Sequence, residues 1–164
     1  MGAGASAARA PVLCFLHADV RLNREALATL ERIASTRSQG AFAFRLRIAG
    51  PRAAYRLIEA GANARSGWLG LPFGDQGLII DAALYERVGG YPDYPVLEDV
   101  ALARSLRGIA PIQLLPAEIM VSARRWEQDG ILHRTVQNLS LLIRFFLGAS
   151  PERLASSYRQ RVEP

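Results

Sequence analysis

The sequence predicts an α/β fold in which helices flank a mostly parallel central sheet. Short apolar runs with strand character alternate with helical patterns from one end of the chain to the other. The chain has 164 residues, of which 50% are hydrophobic and 21% charged, the composition of a globular domain with a substantial core. We therefore expect a single domain over residues 1–164.

The first part of the chain contains two predicted strands and two predicted helices. A continuous apolar run over residues 11–16 ends at polar residues and predicts a buried parallel strand. Asn23 is a suitable N-cap for a helix over 24–35. Alternating apolar residues over 40–48 predict a second strand, and a proline begins a helix over about 51–65.

The rest of the chain contains further short strands and helices, separated by glycine and proline. The predicted elements are a loop over 67–74, a strand over 76–80, helices over 82–88 and 98–107, strands over 112–115 and 118–122, and helices over 129–147 and from 151 onward. Ser150 is the predicted N-cap of the final helix, with a proline at its first helical position.

The positive charge of the chain comes entirely from arginine. There are 20 basic residues and a net charge of +5. Arginine binds phosphate and carboxylate bidentately, so this charge fits a phosphate-bearing ligand or an anionic membrane surface. The arginines are spread along the chain, which argues against binding to nucleic acid. Cys14 is the single cysteine; we expect it to be buried and the protein to be cytoplasmic.

Polar residues directly follow the first predicted strand. His17 and Asp19 lie at its carboxyl end, where ligands bind in open α/β sheets. A carboxylate there is a suitable ligand for Mg²⁺ or Mn²⁺, which take further oxygen ligands from substrate phosphates. His17 is a candidate metal ligand, phosphate donor or packing residue, and Asp19 is equally suited to cap the strand end.

Two further polar motifs occupy loops. Gly74, Asp75 and Gln76 close a loop rich in glycine, and the Asp and Gln side chains can hydrogen-bond sugar hydroxyls. Glu98 and Asp99 open a predicted helix after a segment stiffened by two prolines. Because a helix N-terminus favours carboxylates, this pair is a candidate general base or an ordinary acidic first turn.

A basic and aromatic cluster follows the last predicted strand, where Arg124 and Arg125 precede Trp126. Two guanidinium groups beside an indole ring suit a diphosphate with an apolar or aromatic neighbour. The alternative is a basic turn with a half-buried tryptophan.

The order of these motifs resembles that of family-2 glycosyltransferases of the GT-A fold. A strand followed by His17-Ala18-Asp19 precedes Gly-Asp-Gln, then the pattern GGYPDxPxxEDxxLxRxLR, and finally Ser-Ala-Arg-Arg-Trp. Within that family the chain is most similar to a small bacterial subgroup associated with arsenosugar biosynthesis and with radical-SAM/selenodomain proteins. The similarity extends over residues 2–158 and includes the stretch 148–154.

The resemblance implies an inverting transfer of sugar from a nucleotide-diphosphate donor to a hydroxyl of a small-molecule or lipid-linked acceptor. In such enzymes a DxD-like motif after the central strand holds Mg²⁺ or Mn²⁺ and the diphosphate. Asp19 takes the last acidic position of that motif and His17 replaces the first acid, so both are implied metal residues. Asp99 would be the general base, and Glu98 would orient the acceptor.

The resemblance also implies a pocket for the sugar or the acceptor, lined by Gly74, Asp75 and Gln76. Arg124, Arg125 and Trp126 resemble the QxxRW element of processive relatives but lack its glutamine, which argues against synthesis of a polymer. An arginine beside the diphosphate would stabilise the charge that develops on this leaving group.

The N-terminal region departs from the family pattern. Relatives begin with a strand carrying a P-x-x-N-E-like motif and a βαβ unit that holds the nucleotide base, whereas Asp19 is already near the start of this chain. Residues 1–5 resemble the internal helix that leads into the DxD-like motif. We therefore expect an N-terminally truncated GT-A domain, with the sheet in residues 1–126 and helices over 127–164, which forms a homo-oligomer or pairs with a complementing polypeptide.

Two alternatives stay open at the level of the sequence. One is a non-catalytic remnant that binds a sugar or nucleotide without turnover. The other adds peripheral contact with the inner face of the membrane through the amphipathic helix over 131–147, which could instead cover the core. Its apolar residues are Leu132, Val136, Leu139, Leu142, Ile143 and Phe146.

Overall fold

The computed structural model describes residues 2–159 and the side chains of residues 2–157. These residues form a five-stranded sheet in the order β1-β4-β3-β5-β2, with helices packed against it, which confirms the α/β class. The strands are β1 (Val12–Phe15), β2 (Val20–Leu22), β3 (Ala41–Ala49), β4 (Leu78–Asp81) and β5 (Gln113–Ser122). Met1 and residues 160–164, which the predicted domain includes, lie outside the described residues.

The helices lie close to their predicted positions, except that α6 (Arg124–Asp129) was not predicted. They are α1 (Gly2–Ala7), α2 (Arg24–Ser35), α3 (Ala53–Leu69), α4 (Ala82–Arg87), α5 (Glu98–Leu106), α6 (Arg124–Asp129), α7 (Ile131–Phe146) and α8 (Pro151–Arg159), with a 3₁₀ turn at Gly74–Gln76. The predicted N-cap of α2 is confirmed, because Oδ1 of Asn23 accepts a hydrogen bond of 2.7 Å from the backbone N–H of Ala26.

The prediction of a mostly parallel sheet is wrong. Among the strands of residues 2–159, only β3 and β5 pair in parallel, whereas the pairs β1–β4, β3–β4 and β2–β5 are antiparallel. Strands β1, β3 and β5 nevertheless run in the same direction, since β4 is antiparallel to both of its neighbours. The carboxyl ends of β1, β3 and β5 therefore lie along one edge of the sheet.

The reversed direction of β4 has a cause in the path of the chain. Helix α3 returns to the start of the parallel pair, where Gly70 lies beside Ile112, the residue before β5. Residues 71–77 then carry the chain back across the sheet, so that Leu78 begins β4 opposite Phe15 at the end of β1. Alternation of helices and strands in the sequence does not reveal this extra crossing.

Strand β5 is continuous, although two strands separated by Pro116 are predicted. The pairing of β3 with β5 shifts between Ala43, which faces Leu114, and Arg45, which faces Glu118. A proline has no N–H to donate to a ladder, so it is accommodated in this irregularity without ending the strand.

The predicted helix over 129–147 corresponds to α7, which begins after Gly130, whose positive φ of 81° separates it from α6, a short helix that was not predicted. Helix α7 turns Leu141 toward the core, while most of the predicted apolar set faces outward. Leu132 is 76% exposed and Val136 is 56% exposed. The interpretation of that set as a core-covering face is therefore wrong, with Leu142 as its one partly buried member.

The core occupies both faces of the sheet. Ile80 packs with α4 and α5, whereas Ile79, its neighbour in β4, packs with α2. A third cluster joins Tyr55 of α3 and Trp126 of α6 to the end of β3. Cys14 is exposed rather than buried, because β1 is an edge strand of the described sheet and Cys14 alternates with the buried Leu13.

Candidate functional site

The shared edge of the sheet brings together motifs that are distant in sequence. His17 and Asp19 follow β1, and Arg125 and Trp126 follow β5, so both pairs lie at the carboxyl ends of strands that run in the same direction. The 3₁₀ turn ends just before β4 and reaches the same edge because β4 runs the opposite way. The predicted location of the site is consistent with this arrangement.

A small cavity at this edge is the centre of the candidate site. It has a volume of about 50 Å³, room for a few water molecules. Its lining comprises His17, Asp19, Asp75, Val121, Arg125, Trp126, Arg134 and Asn138. Three of the four sequence motifs thus contribute side chains to one cavity.

Larger cavities adjoin this centre on two sides. Asp19 also lines a cavity of about 350 Å³ beside β2 and β5, which includes Arg21 and Ser122. Asp75 and Trp126 also line a groove of about 520 Å³ between α3 and α7. A separate cavity of about 510 Å³ near Gly40 contains none of the predicted site residues.

Gly74 fits the site because it has no side chain. A Cβ atom on this residue would lie 3.0 Å from Cδ2 and 3.1 Å from Cε1 of His17, and closer still to Nε2. The imidazole therefore packs directly on the backbone of the 3₁₀ turn. This contact places Gly74 in the site as the support of His17.

Asp99 joins the fourth motif to the same turn. Its Oδ2 accepts a hydrogen bond of 2.5 Å from the N–H of Gly74, and its Oδ1 accepts one of 2.7 Å from the N–H of Val100. Burial raises the pKa of Asp99 to about 6; the two N–H groups oppose this rise, and the charges of Glu98 and Asp75 add to it. The carboxylate is held in one orientation with a pKa close to neutral pH.

The backbone that precedes Asp99 adopts an unusual conformation. Leu97 has a φ of 60°, in the left-handed region of the backbone. A residue other than glycine adopts this conformation at a cost of roughly 1–2 kcal/mol. Its side chain packs against the core cluster of α4 and α5, which holds it there. Such strain concentrates at functional sites, and here it sets the direction in which α5 and its first-turn acids begin. Nothing in the sequence signals it, because leucine is not a residue of left-handed turns.

Asp75 has an incompletely satisfied carboxylate. Its Oδ1 atom is inaccessible to solvent and has no hydrogen-bond partner within the part of the chain that the structure describes. Burial raises the pKa of Asp75, Arg65 and His17 counteract this rise, and Asp19 adds to it. Because Asp75 lines the small cavity, a ligand hydroxyl that came within reach of this buried atom would supply the missing donor.

Arg65 is a site residue that sequence reasoning missed. Its guanidinium lies over the ring of Phe73, 3.5 Å from the centroid, and donates a hydrogen bond to the carbonyl of Leu71. Burial lowers the pKa of Arg65, while Asp75 and Asp99 act in the opposite direction. In the sequence, Arg65 cannot be told from an exposed arginine on any helix. Its role is indicated only by the structure, in which the carboxylates of Asp75 and Asp99 influence its pKa.

The contact with substrate predicted for Gln76 is not supported, because Gln76 is fully buried. Oε1 of Gln76 accepts a hydrogen bond of 2.5 Å from the hydroxyl of Ser66. Nε2 of Gln76 donates one of 3.2 Å to the carbonyl of Phe44. The side chain therefore anchors the 3₁₀ turn to α3 and β3. A buried amide with both ends used has a structural role.

Of the remaining predicted site residues, two line the small cavity and two do not. Trp126 is buried with the end of β3, and Arg125 is exposed with its Nε 4.0 Å from Oδ2 of Asp19. Arg124 is exposed and Glu98 is half-buried, and neither lines the small cavity. The structure thus gathers Arg125 and Trp126 at the centre and leaves Arg124 and Glu98 at its periphery.

The side chains at the centre do not form a metal site by themselves. Among residues 2–159, no three His, Cys, Asp or Glu side chains come together in a group that could hold an ion. Asp19 instead faces the guanidinium of Arg125. An ion at Asp19 would have to take most of its ligands from a bound diphosphate, so Mg²⁺ or Mn²⁺ stays a prediction here.

No helix within residues 2–159 is long and apolar enough to cross a membrane.

No protein-family model and no curated protein matches the sequence.

Proposed function

We propose that this chain acts as an inverting glycosyltransferase of the GT-A type, moving a sugar from a nucleotide-diphosphate donor to an acceptor hydroxyl. One observation carries the proposal. Four motifs that are distant in sequence converge on a single 3₁₀ turn: Asp99 binds the N–H of Gly74, His17 packs on Gly74, and Asp75 shares a cavity with Asp19, Arg125 and Trp126.

Asp99 has the properties of a general base. Two backbone N–H groups fix its carboxylate, and each oxygen retains a lone pair for a proton. A pKa of about 6 means that the carboxylate is ionised at pH 7, yet its proton affinity is higher than that of an ordinary aspartate. In the proposed step Asp99 removes the acceptor proton as the acceptor oxygen bonds to the anomeric carbon. The bond from that carbon to the diphosphate oxygen breaks with its electron pair.

Arg125 is suited to the leaving group. It is exposed at the mouth of the cavity and next to Asp19, where a guanidinium can pair with phosphate oxygens in two parallel hydrogen bonds. Charge that develops on the diphosphate would then be neutralised by a group already in position. Arg124, in the first turn of α6, is the second guanidinium within this segment.

The small cavity is too confined for a sugar, so the donor and the acceptor would occupy the two larger cavities that adjoin it. The cavity beside β2 and β5 includes Arg21, Ser122 and Asp19, which suit a nucleotide diphosphate. The groove between α3 and α7 would then receive the acceptor. In this arrangement the acceptor hydroxyl would have to reach Asp99 at the 3₁₀ turn, where Asp99 contacts Gly74, the neighbour of Asp75.

The decisive experiment measures release of nucleotide diphosphate from a panel of nucleotide sugars with Mn²⁺ present. Asp99→Asn removes the base and is expected to reduce release about 100-fold or more. Asp93→Asn is the matched control, because Asp93 is an exposed aspartate of the loop that precedes α5, and release by this variant is expected to match that of the wild type.

The pH dependence gives an independent readout. Because the folded-state pKa of Asp99 is about 6, protonation below that pH inactivates the base, so wild-type release is expected to rise as pH increases through about 6 and then level off. Asp99→Asn should lack this limb. Binding of a nucleotide sugar with no release at any pH would instead support the non-catalytic sugar- or nucleotide-binding alternative.

A further inference from the structure

The groove between α3 and α7 differs from the rest of the site in its chemistry. It has a volume of about 520 Å³, within the range of small-molecule sites. We call it the apolar groove and define it by its aliphatic and aromatic lining, Leu57, Ile58, Leu69, Phe73, Leu139 and Leu142. Its polar side chains are few and include Arg65, Asp75 and Asn138.

The apolar groove is continuous with the centre of the candidate site. Asp75, Trp126 and Asn138 line both the groove and the small cavity. Arg65, stacked on the ring of Phe73, also lines the groove, as does Asp75. A molecule in the groove would therefore meet charged groups where the groove joins the small cavity and hydrocarbon along its other walls.

The apolar side chains of the groove are costly to leave in water. Leu57 is 77% exposed and Leu139 is 54% exposed, and they belong to the two helices that form its walls. Ligand sites are typically concave and apolar, with a few polar groups at their border. The apolar groove has these properties.

We propose that the apolar groove binds the hydrocarbon chain of an amphiphilic acceptor, whose hydroxyl-bearing head lies at Asp75. The assignment of this ligand as an acceptor rests on the proposed glycosyltransferase function; its binding does not. The single polar end of the groove favours a molecule with one polar end. A flat membrane surface would meet the outer residues Leu132 and Val136 of α7, which do not line the groove.

The test compares uncharged alkyl β-glucosides of increasing chain length, all below their micelle concentrations. Methyl, butyl, hexyl and octyl glucosides are titrated calorimetrically into the protein without donor. Each methylene that enters the groove is expected to tighten binding about fourfold, until the chain outgrows the groove. A flat series from methyl to octyl would overturn the proposal.

Gly61 offers a variant that blocks the groove. It lies on α3 and lines the groove, and a Cβ atom there would contact nothing within 4 Å. Gly61→Leu fills the groove and should abolish the dependence on chain length, whereas Gly61→Ala, the matched control, should retain it. Both substitutions favour the helix, so loss of folding does not explain a difference between them.

Two further measurements identify competing occupants. Sedimentation measures whether the protein forms dimers and whether it adsorbs to phosphatidylglycerol vesicles. If Gly61→Leu abolishes either behaviour and the glucoside series is flat, the groove is a protein or membrane contact and the proposal is overturned. Asp99→Asn separates this inference from the proposed function. If binding depends on chain length in both the wild type and Asp99→Asn but neither transfers sugar, the proposed glycosyltransferase function is contradicted. The binding site for an amphiphile is then still supported.

Discussion

The contact between Gly74 and His17 makes a quantitative prediction about the site. Gly74→Ala adds one methyl group that would lie 3.0 Å or less from the imidazole ring. The backbone of residue 74 does not have positive φ, so alanine itself is tolerated there. The imidazole must therefore move, although His17 is half-buried and lines the small cavity.

The expected magnitude follows from two opposing effects. Overpacking a filled site costs about 1–3 kcal/mol. Replacing glycine by alanine at a compatible position restricts the unfolded chain and contributes about 0.4–1 kcal/mol of stability. In a His17→Ala background the first effect disappears and the second persists. Gly74→Ala should therefore destabilise the wild type but slightly stabilise the His17→Ala protein, with a coupling energy of about 1–3 kcal/mol.

The assay is a double-mutant cycle measured by urea unfolding of the wild type, both single variants and the double variant. For a chain of this length, 1 kcal/mol corresponds to roughly 2–4 °C in Tm, so thermal unfolding can check the result. Equal costs of Gly74→Ala in the two backgrounds, within about 0.5 kcal/mol, would refute the packing of His17 on the 3₁₀ turn.

Further predictions concern the cap, the turn and the metal. Asn23→Ala should lower the free energy of unfolding by about 1 kcal/mol in urea while Asn23→Asp retains most of it, and equal losses would contradict the cap. Gln76→Leu should cost about 1–3 kcal/mol, because it removes the amide donor to the carbonyl of Phe44, whereas Ser66 keeps its hydrogen bond to the carbonyl of Ala62. A changed sugar KM with unchanged stability would instead indicate a ligand contact. Nucleotide release should fall with EDTA and return with Mn²⁺, and Asp19→Asn should demand more Mn²⁺; release insensitive to EDTA would argue against the metal.

The sequence predicts local structure well where neighbouring residues decide it. Asn23 begins α2 because its side chain reaches an N–H three residues away, and Glu98 begins α5 as predicted. Gly130 shows the limit of the same reasoning. The predicted helix over 129–147 includes it, yet its positive φ ends α6, which was not predicted, and delays the start of α7 to Ile131.

The candidate site was partly predictable because strand ends carry its polar residues. His17 and Asp19 could be placed from the end of a strand, and Asp75 from its loop. Arg65 could not, since an arginine on a helix has no distinctive pattern, and the same holds for the strained Leu97. Gln76 was misjudged because burial of a loop amide depends on Ser66 and Phe44, both remote in sequence.

By itself the sequence determined which chemical groups this protein possesses and the local elements that carry them, because caps, helical spacing and strand alternation act over a few residues. Only the tertiary structure decided the direction of β4, the outward face of α7 and the convergence of Asp99, His17 and Asp75 on Gly74. Those features depend on where residues 71–77 cross the sheet and on which distant surfaces exclude water together, and no short-range pattern encodes either.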